Sequence, residues 1–113
     1  MYEAKAGHAI HSFKATCRMA CEAAFKGPAL TGPLAVTMVC LFPRPTNKVW
    51  KSKPMPREWK PNKPDCDNLA KSLFDALNGL LWVDDSQIVF ASVKKLICAG
   101  DEQPGVLVTV EQA

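Results

Sequence analysis

Apolar residues recur along this chain in two rhythms, and the rhythms divide it into elements. From His8 to Phe25, Ile10, Phe13, Cys17, Cys21 and Ala24 return at helical spacing, and Gly27-Pro28 closes the run. Leu34 to Phe42 is apolar on both faces and carries the β-branched Val36, Thr37 and Val39, which predicts a central strand. At about 100° per residue, Leu69, Leu73, Ala76, Leu77 and Leu80 gather into one stripe. Asp67, Lys71, Asp75 and Asn78 take the opposite side of that second helix, and Asn78-Gly79 supplies its stop. Gln87 to Ile97 and Val106 to Glu111 read as two further strands, joined through Gly100-Asp101-Glu102. The order predicts one α+β domain over 1–113, a small mixed β-sheet with two helices packed on it.

One stretch obeys neither rhythm. Pro43, Pro45, Pro54, Pro56, Pro61 and Pro64 exclude a continuous helix or central strand from residues 43–64. A loop of that length inside a small domain is usually functional or disordered. It is also where the charge sits. The net charge is only +3, which says little about a polyanionic partner. Between Arg44 and Lys63, however, lie Arg44, Lys48, Lys51, Lys53, Arg57, Lys60 and Lys63 against the single acid Glu58. Trp50 and Trp59 are interleaved with these lysines; they either offer flat surfaces for unpaired bases or tuck back against the core. The loop is the candidate DNA-contacting arm.

Immediately after it the sign reverses. Asp65, Asp67, Asp75, Asp84 and Asp85 crowd into the next segment. Carboxylates delivered from two chain segments to one spot hold hard cations such as Mg²⁺. Each acid also has a structural reading. Asp67 or Asn68 caps the helix, Lys71 and Asp75 form an i,i+4 pair, and Asp84-Asp85 makes a turn with Ser86. These readings leave Asp65 and the pairing of two acidic clusters unexplained. A basic stripe feeding an acidic pocket suits a nuclease that grips the backbone broadly and cuts it locally.

The ordered run P-D-x-D-N-L-x-K-x-x-x-D-A-L-N-G from Pro64, followed by D-D-x-Q-I to Ile88, resembles the RusA family of Holliday junction resolvases. Those are small, dimeric, Mg²⁺-dependent endonucleases common in prophages. The resemblance implies that Asp65, Asp67 and Asp85 are catalytic carboxylates that bind Mg²⁺, and that Lys71 is the basic residue near the scissile phosphate. Relatives usually begin with a strand and a basic turn before the first helix. Tyr2 falls where that prelude should have ended, so a first strand is expected to be missing.

The remaining features supply scaffold or exclude classes. Five cysteines, an odd number, argue against a disulfide framework, and Cys17 and Cys21 with His8 or His11 fit no common zinc spacing. Cys66 is expected to point into the core. No apolar run reaches membrane-spanning length and no signal peptide is evident, so a cytoplasmic protein is expected. The sequence therefore reads as a nuclease resolving four-way DNA junctions by paired phosphodiester hydrolysis, acting as a homodimer with one site per subunit. Two other classes stay open: a non-catalytic branched-DNA-binding module, and a Mg²⁺-dependent nucleotide phosphohydrolase.

Overall fold

The computed structural model describes residues 2–4, 10–45 and 55–113, with side chains from Phe13 onward in the first helix. His8, Lys48, Trp50, Lys51 and Lys53 lie outside the described residues, as do the side chains of Ile10 and His11.

The chain runs β1 (Tyr2–Ala4), α1 (Ile10–Ala24), β2 (Leu34–Phe42), β3 (Glu58–Trp59), α2 (Cys66–Leu77), a 3-10 turn (Asp85–Gln87), β4 (Ile88–Ile97) and β5 (Gly105–Gln112). It is an α+β fold with a mixed sheet in the order β1-β5-β2-β4-β3. β2 runs parallel to β4 and antiparallel to β5. Being paired on both edges, it reads as an unbroken apolar run.

The first strand expected to be missing is present. Tyr2–Ala4 pairs antiparallel with Val106–Val108 and closes the β5 edge. Three residues are too few for an alternation to show in the sequence, and the pairing comes from the waiting edge of β5. Among its described residues the loop contains no central strand, as its prolines require. Its last part pairs with the sheet as the short β3, opposite Leu96 and Ile97.

Sheet alternation sets the two layers. Val36, Met38 and Cys40 of β2 and Val106 and Val108 of β5 are fully buried beneath the helices. They meet Phe13, Cys17 and Cys21 of α1 and Leu69, Leu73, Ala76 and Leu77 of α2 in one cluster. Ala24, expected on the buried face, is exposed, because α1 ends there and leaves the core behind it. Among the described residues, the opposite sheet face carries no helix. Thr37, Lys94 and Glu111 are exposed on it, so it is more polar than the sequence pattern suggested.

An arginine and a lysine of α1 tie it to the end of α2. Arg18 of α1 donates from Nη1 to the Ala76 carbonyl at 3.0 Å, satisfying a last-turn oxygen of α2. Lys14 lies 3.5 Å from Asp75, so that acid joins α2 to α1 instead of pairing with Lys71.

Candidate active site

The approach to Asp65 is built on the end of β4. The backbone N–H of Lys60 donates to the Lys95 carbonyl at 3.0 Å. Lys95 Nζ in turn donates to the carbonyls of Asn62 and Pro64, both at 2.7 Å. Lys60 Nζ sits 5.1 Å over the Phe42 ring and donates to Asn62 Oδ1 at 3.0 Å. Sequence reading missed Lys95. Its signal was a lysine on the helix-covered face of a mostly apolar strand, opposite Cys40. A cation there needs acceptors, and the two carbonyls supply them.

Asp65 occupies the N-cap position of α2 with an extended backbone, φ −75° and ψ 149°, yet its side chain makes no capping bond. Its carbonyl accepts from Leu69 N–H at 3.1 Å. Asp67 follows in the first turn and Lys71 one turn later, all three exposed on the side away from the buried leucine stripe. None of their side-chain polar atoms has a hydrogen bond or ion pair among the described residues. The capping role open to Asp67 or Asn68 is therefore not what either side chain does. Cys66 is exposed, not in the core: it is the first helical residue, and entry into the helix turns it outward beside the two aspartates.

The helix ends as its sequence predicts. Asn78 is the C-cap and Gly79 takes φ +76°, a conformation glycine adopts cheaply. Asn78 Oδ1 then accepts from the Trp82 indole N–H at 2.7 Å, and Trp82 is buried edge-on against Phe74 at 6.0 Å between ring centroids. This returns the chain to the second acidic pair, whose members differ. Asp84 caps the 3-10 turn, accepting from Ser86 N–H at 3.0 Å, and hydrogen bonding by the Ser86 side chain and then its backbone holds the Asp84 carboxyl below the usual carboxylate range. Gln87 completes the cap. Its Oε1 accepts from the N–H groups of Val83 at 2.8 Å and Asp84 at 3.0 Å, while its Nε2 donates to the carbonyls of Leu30 at 2.9 Å and Gly32 at 3.1 Å. The Asp84-to-Gln87 spacing is that of a capping box, a signal the sequence did offer. Asp85, half-buried, makes no such bond.

One expectation fails within a single chain. Asp65, Asp67 and Asp85 do not come together. The entry of α2 is tied to Lys95 near the end of β4, whereas Asp85 precedes the start of that strand. Helix α2, about 18 Å long at 1.5 Å per residue, separates the two acidic sets. Among the described residues no group of three His, Cys, Asp or Glu side chains is placed to hold a metal ion. The buried thiols offer none either: burial pushes Cys17 and Cys40 up to about 12, so both stay protonated.

The basic residues also sort into roles. Arg44, expected to face DNA, has a side chain only 6% exposed. It binds Glu58 at 2.6 Å and the carbonyls of Cys98 at 3.0 Å and Pro56 at 2.5 Å. A guanidinium so enclosed fastens the loop to the sheet and has no free face for phosphate. Arg57, more exposed, forks onto Glu102, with Nη2–Oε2 at 2.6 Å; that bond holds the Glu102 carboxyl low. Lys63 and Lys71 keep exposed ammonium groups with no partner among the described residues. Trp59 is 69% exposed, which decides between its two readings in favour of an open flat surface.

The sequence matches the family described as endodeoxyribonuclease RusA over residues 2–111. It is also 35% identical over 88 residues to the protein named "Uncharacterized protein YqaN" of Bacillus subtilis (strain 168). That match covers 74% of this chain and 60% of YqaN, so the chain spans less than two thirds of that relative's length. No helix among the described residues is long and apolar enough to cross a membrane.

Proposed function

This chain belongs to the RusA endodeoxyribonuclease family, and from that premise we propose that it cuts four-way DNA junctions by paired phosphodiester hydrolysis, as a Mg²⁺-dependent homodimer working in the cytoplasm. The observation that carries the reading is how the five motif acids divide. Asp75 and Asp84 are engaged in holding the fold, while the side chains of Asp65, Asp67 and Asp85 have no bond among the described residues. The three left over are those the motif assigns to chemistry.

The donor set suits a hard cation, since carboxylate oxygens are what Mg²⁺ takes. One chain alone does not complete it. Asp65 and Asp67 share the start of α2, and Asp85 stands at the far end of the helix. A single site using all three therefore draws Asp85 from a second subunit, and a twofold dimer gives two such sites for two opposed strands. A bound cation there would neutralise phosphate charge and activate water. Lys71, exposed one turn beyond Asp67, adds positive charge against the phosphate as negative charge develops on it. Lys63, Trp59 and the lysines of residues 46–54 supply the sequence-independent grip on the backbone and unpaired bases.

The test is cleavage of a labelled four-way junction beside a linear duplex and a nucleoside triphosphate. Paired cuts confined to the junction are expected. Hydrolysis of the triphosphate would replace this reading with a nucleotide phosphohydrolase, and binding without cuts at any divalent cation would leave a branched-DNA-binding module. Subunit sharing has its own test. Asp65→Asn and Asp85→Asn, each inactive alone, regain nicking when mixed and allowed to exchange subunits, because one of the two shared sites is then intact. Absence of nicking in verified mixed dimers would mean that each site is built within one chain.

A further inference from the structure

Residues 62–64 carry the chain into Asp65 without a hydrogen-bonded turn of their own. Pro61 and Pro64 have no N–H to give. Among the described residues, neither Asn62 nor Lys63 bonds another backbone group. The segment is shaped from outside, by one residue. Lys95 accepts the Lys60 N–H on its carbonyl at 3.0 Å, and its ammonium donates to the carbonyls of Asn62 and Pro64, both at 2.7 Å. Main chain and side chain of a single lysine thus grip the approach at Lys60, Asn62 and Pro64.

A lysine at position 95 is out of place if holding the sheet is its only task. It lies half-buried on the helix-covered face, opposite the buried Cys40, where an apolar side chain would pack without needing acceptors. The other positions of β4 on that face, Ala91, Val93 and Ile97, are apolar. Lys94, its neighbour, stands exposed on the opposite face.

We propose that Lys95 is a positioning residue for the Asp65 carboxylate. Its ammonium fixes the two carbonyls that precede Asp65 and so sets the direction in which that carboxylate leaves the start of α2. The inference rests on the reading of Asp65 as a cation-binding carboxylate. An ammonium suits the task, because its three donors reach two carbonyls at once. Asp65 depends on such a hold, since its side chain makes no capping bond and only its carbonyl is tied, by Leu69 N–H at 3.1 Å. Asp67 is carried differently. It belongs to α2 itself, which is seated by Leu69, Leu73 and Leu77 in the core and by Arg18 on the Ala76 carbonyl. Lys95 therefore acts on Asp65 first, through the Pro64–Asp65 peptide and not by touching the reacting atoms.

The test compares Lys95→Met, which keeps the stem and removes the donors, with Lys94→Met, which removes the same charge from the other face. In a gel-shift assay without divalent cation, Lys95→Met should bind a four-way junction as wild type does. At saturating protein it should cleave that junction about 10–100-fold more slowly, the loss typical of groups that orient metal ligands. Lys94→Met should cleave at the wild-type rate. In an Asp65→Asn background, Lys95→Met should slow the residual cleavage no further, because both changes act through one carboxylate. Wild-type cleavage by Lys95→Met, or equal slowing by Lys94→Met, would overturn the assignment. So would equal losses of affinity and rate, or further slowing of Asp65→Asn, since either would mean that the ammonium contacts DNA itself.

Residue-resolved hydrogen exchange on the metal-free proteins gives a readout apart from activity. Lys95→Met should speed exchange at the Lys60 and Leu69 amides, which bond at the two ends of the tethered segment, and leave Leu73–Leu77 protected. Unchanged exchange at both amides would overturn the proposal. Faster exchange throughout α2 would overturn it as well, making Lys95 a residue of general stability. A wild-type protein that cuts no junction with any divalent cation would instead defeat the nuclease reading, and the exchange result would then decide the tether alone.

Discussion

Two acidic turns, Asp65-Cys66-Asp67 entering α2 and Asp84-Asp85 entering the 3-10 turn, look alike in sequence and are used in opposite ways. Asp65 and Asp84 both stand at N-cap positions with extended backbones. Asp84 accepts from Ser86 N–H and is locked in a capping box by Gln87. Asp65 makes no capping bond, and the start of its helix is held from outside by Lys95 on the preceding carbonyls. A cap of this kind is worth about 1 kcal/mol. Asp65 stands in the cap position and forgoes that stabilisation, which leaves its carboxylate oxygens without a bond among the described residues. The difference teaches that a carboxylate's role is read from what its oxygens touch, not from its place in a turn.

Substitutions on the two sides should separate activity from stability. Asp67→Asn and Asp65→Asn should each lower junction cleavage by more than about a hundredfold, beyond the loss typical of groups that merely support metal ligands. Junction binding in a gel-shift assay should persist or tighten, because a negative charge near phosphate is removed. Loss of binding and cleavage together in a folded variant would erase the contrast. Gln87→Ala reverses the signature. It orphans two N–H groups and two carbonyls around a half-buried turn, so chemical denaturation should show a loss of about 1–3 kcal/mol, with cleavage by the folded fraction preserved.

Asp84→Ala should lower the melting temperature by less than Gln87→Ala, and Asp84→Asn, which keeps an acceptor, by less again. Cleavage by Asp84→Asn should stay near wild type; an Asp84→Asn protein as inactive as Asp67→Asn would exchange the roles of the two adjacent aspartates. The smallest effect is on pH. The folded Asp84 carboxyl lies below its ordinary 3.8 because Ser86 bonds the charged form. Its contribution is thus fully present above 3.8 and is lost as pH falls through the lower folded value. Melts of wild type and Asp84→Ala should differ at neutral pH and converge well below pH 3.8; a constant gap would show that the carboxylate's charge is irrelevant to the cap.

Much of the scaffold was legible because burial writes itself into spacing. Leu34–Phe42 appeared in the sequence with its observed bounds, since a strand paired on both edges tolerates few polar positions. The stripe Leu69, Leu73, Ala76 and Leu77 was equally plain, being one face of a helix against one core. What escaped was held by contacts distant in sequence. β1 and β3 are too short for any rhythm and exist by pairing with β5 and β4. Arg44 counted as one more positive charge until Glu58 and the carbonyls of Cys98 and Pro56 enclosed it. The acidic residues were legible as candidates, and Asp85 was separated from Asp84 by the motif alone. Their arrangement was not, because proximity along the chain hides the length of the helix between them.

The staples on either side of the proline-rich segment carry a different implication. Before it, Arg44 is bound to the Cys98 carbonyl; after it, Met55 accepts from Gly100 N–H and Lys60 and Pro64 are tethered to Lys95. Both rims of the loop are thus referred to the same end of the sheet, independently of how much chain lies between them. Lengthening or shortening residues 46–54 should therefore leave the position of the Asp65 turn unchanged. Evolution is free to remodel that segment while the frame that positions the turn stays where it is.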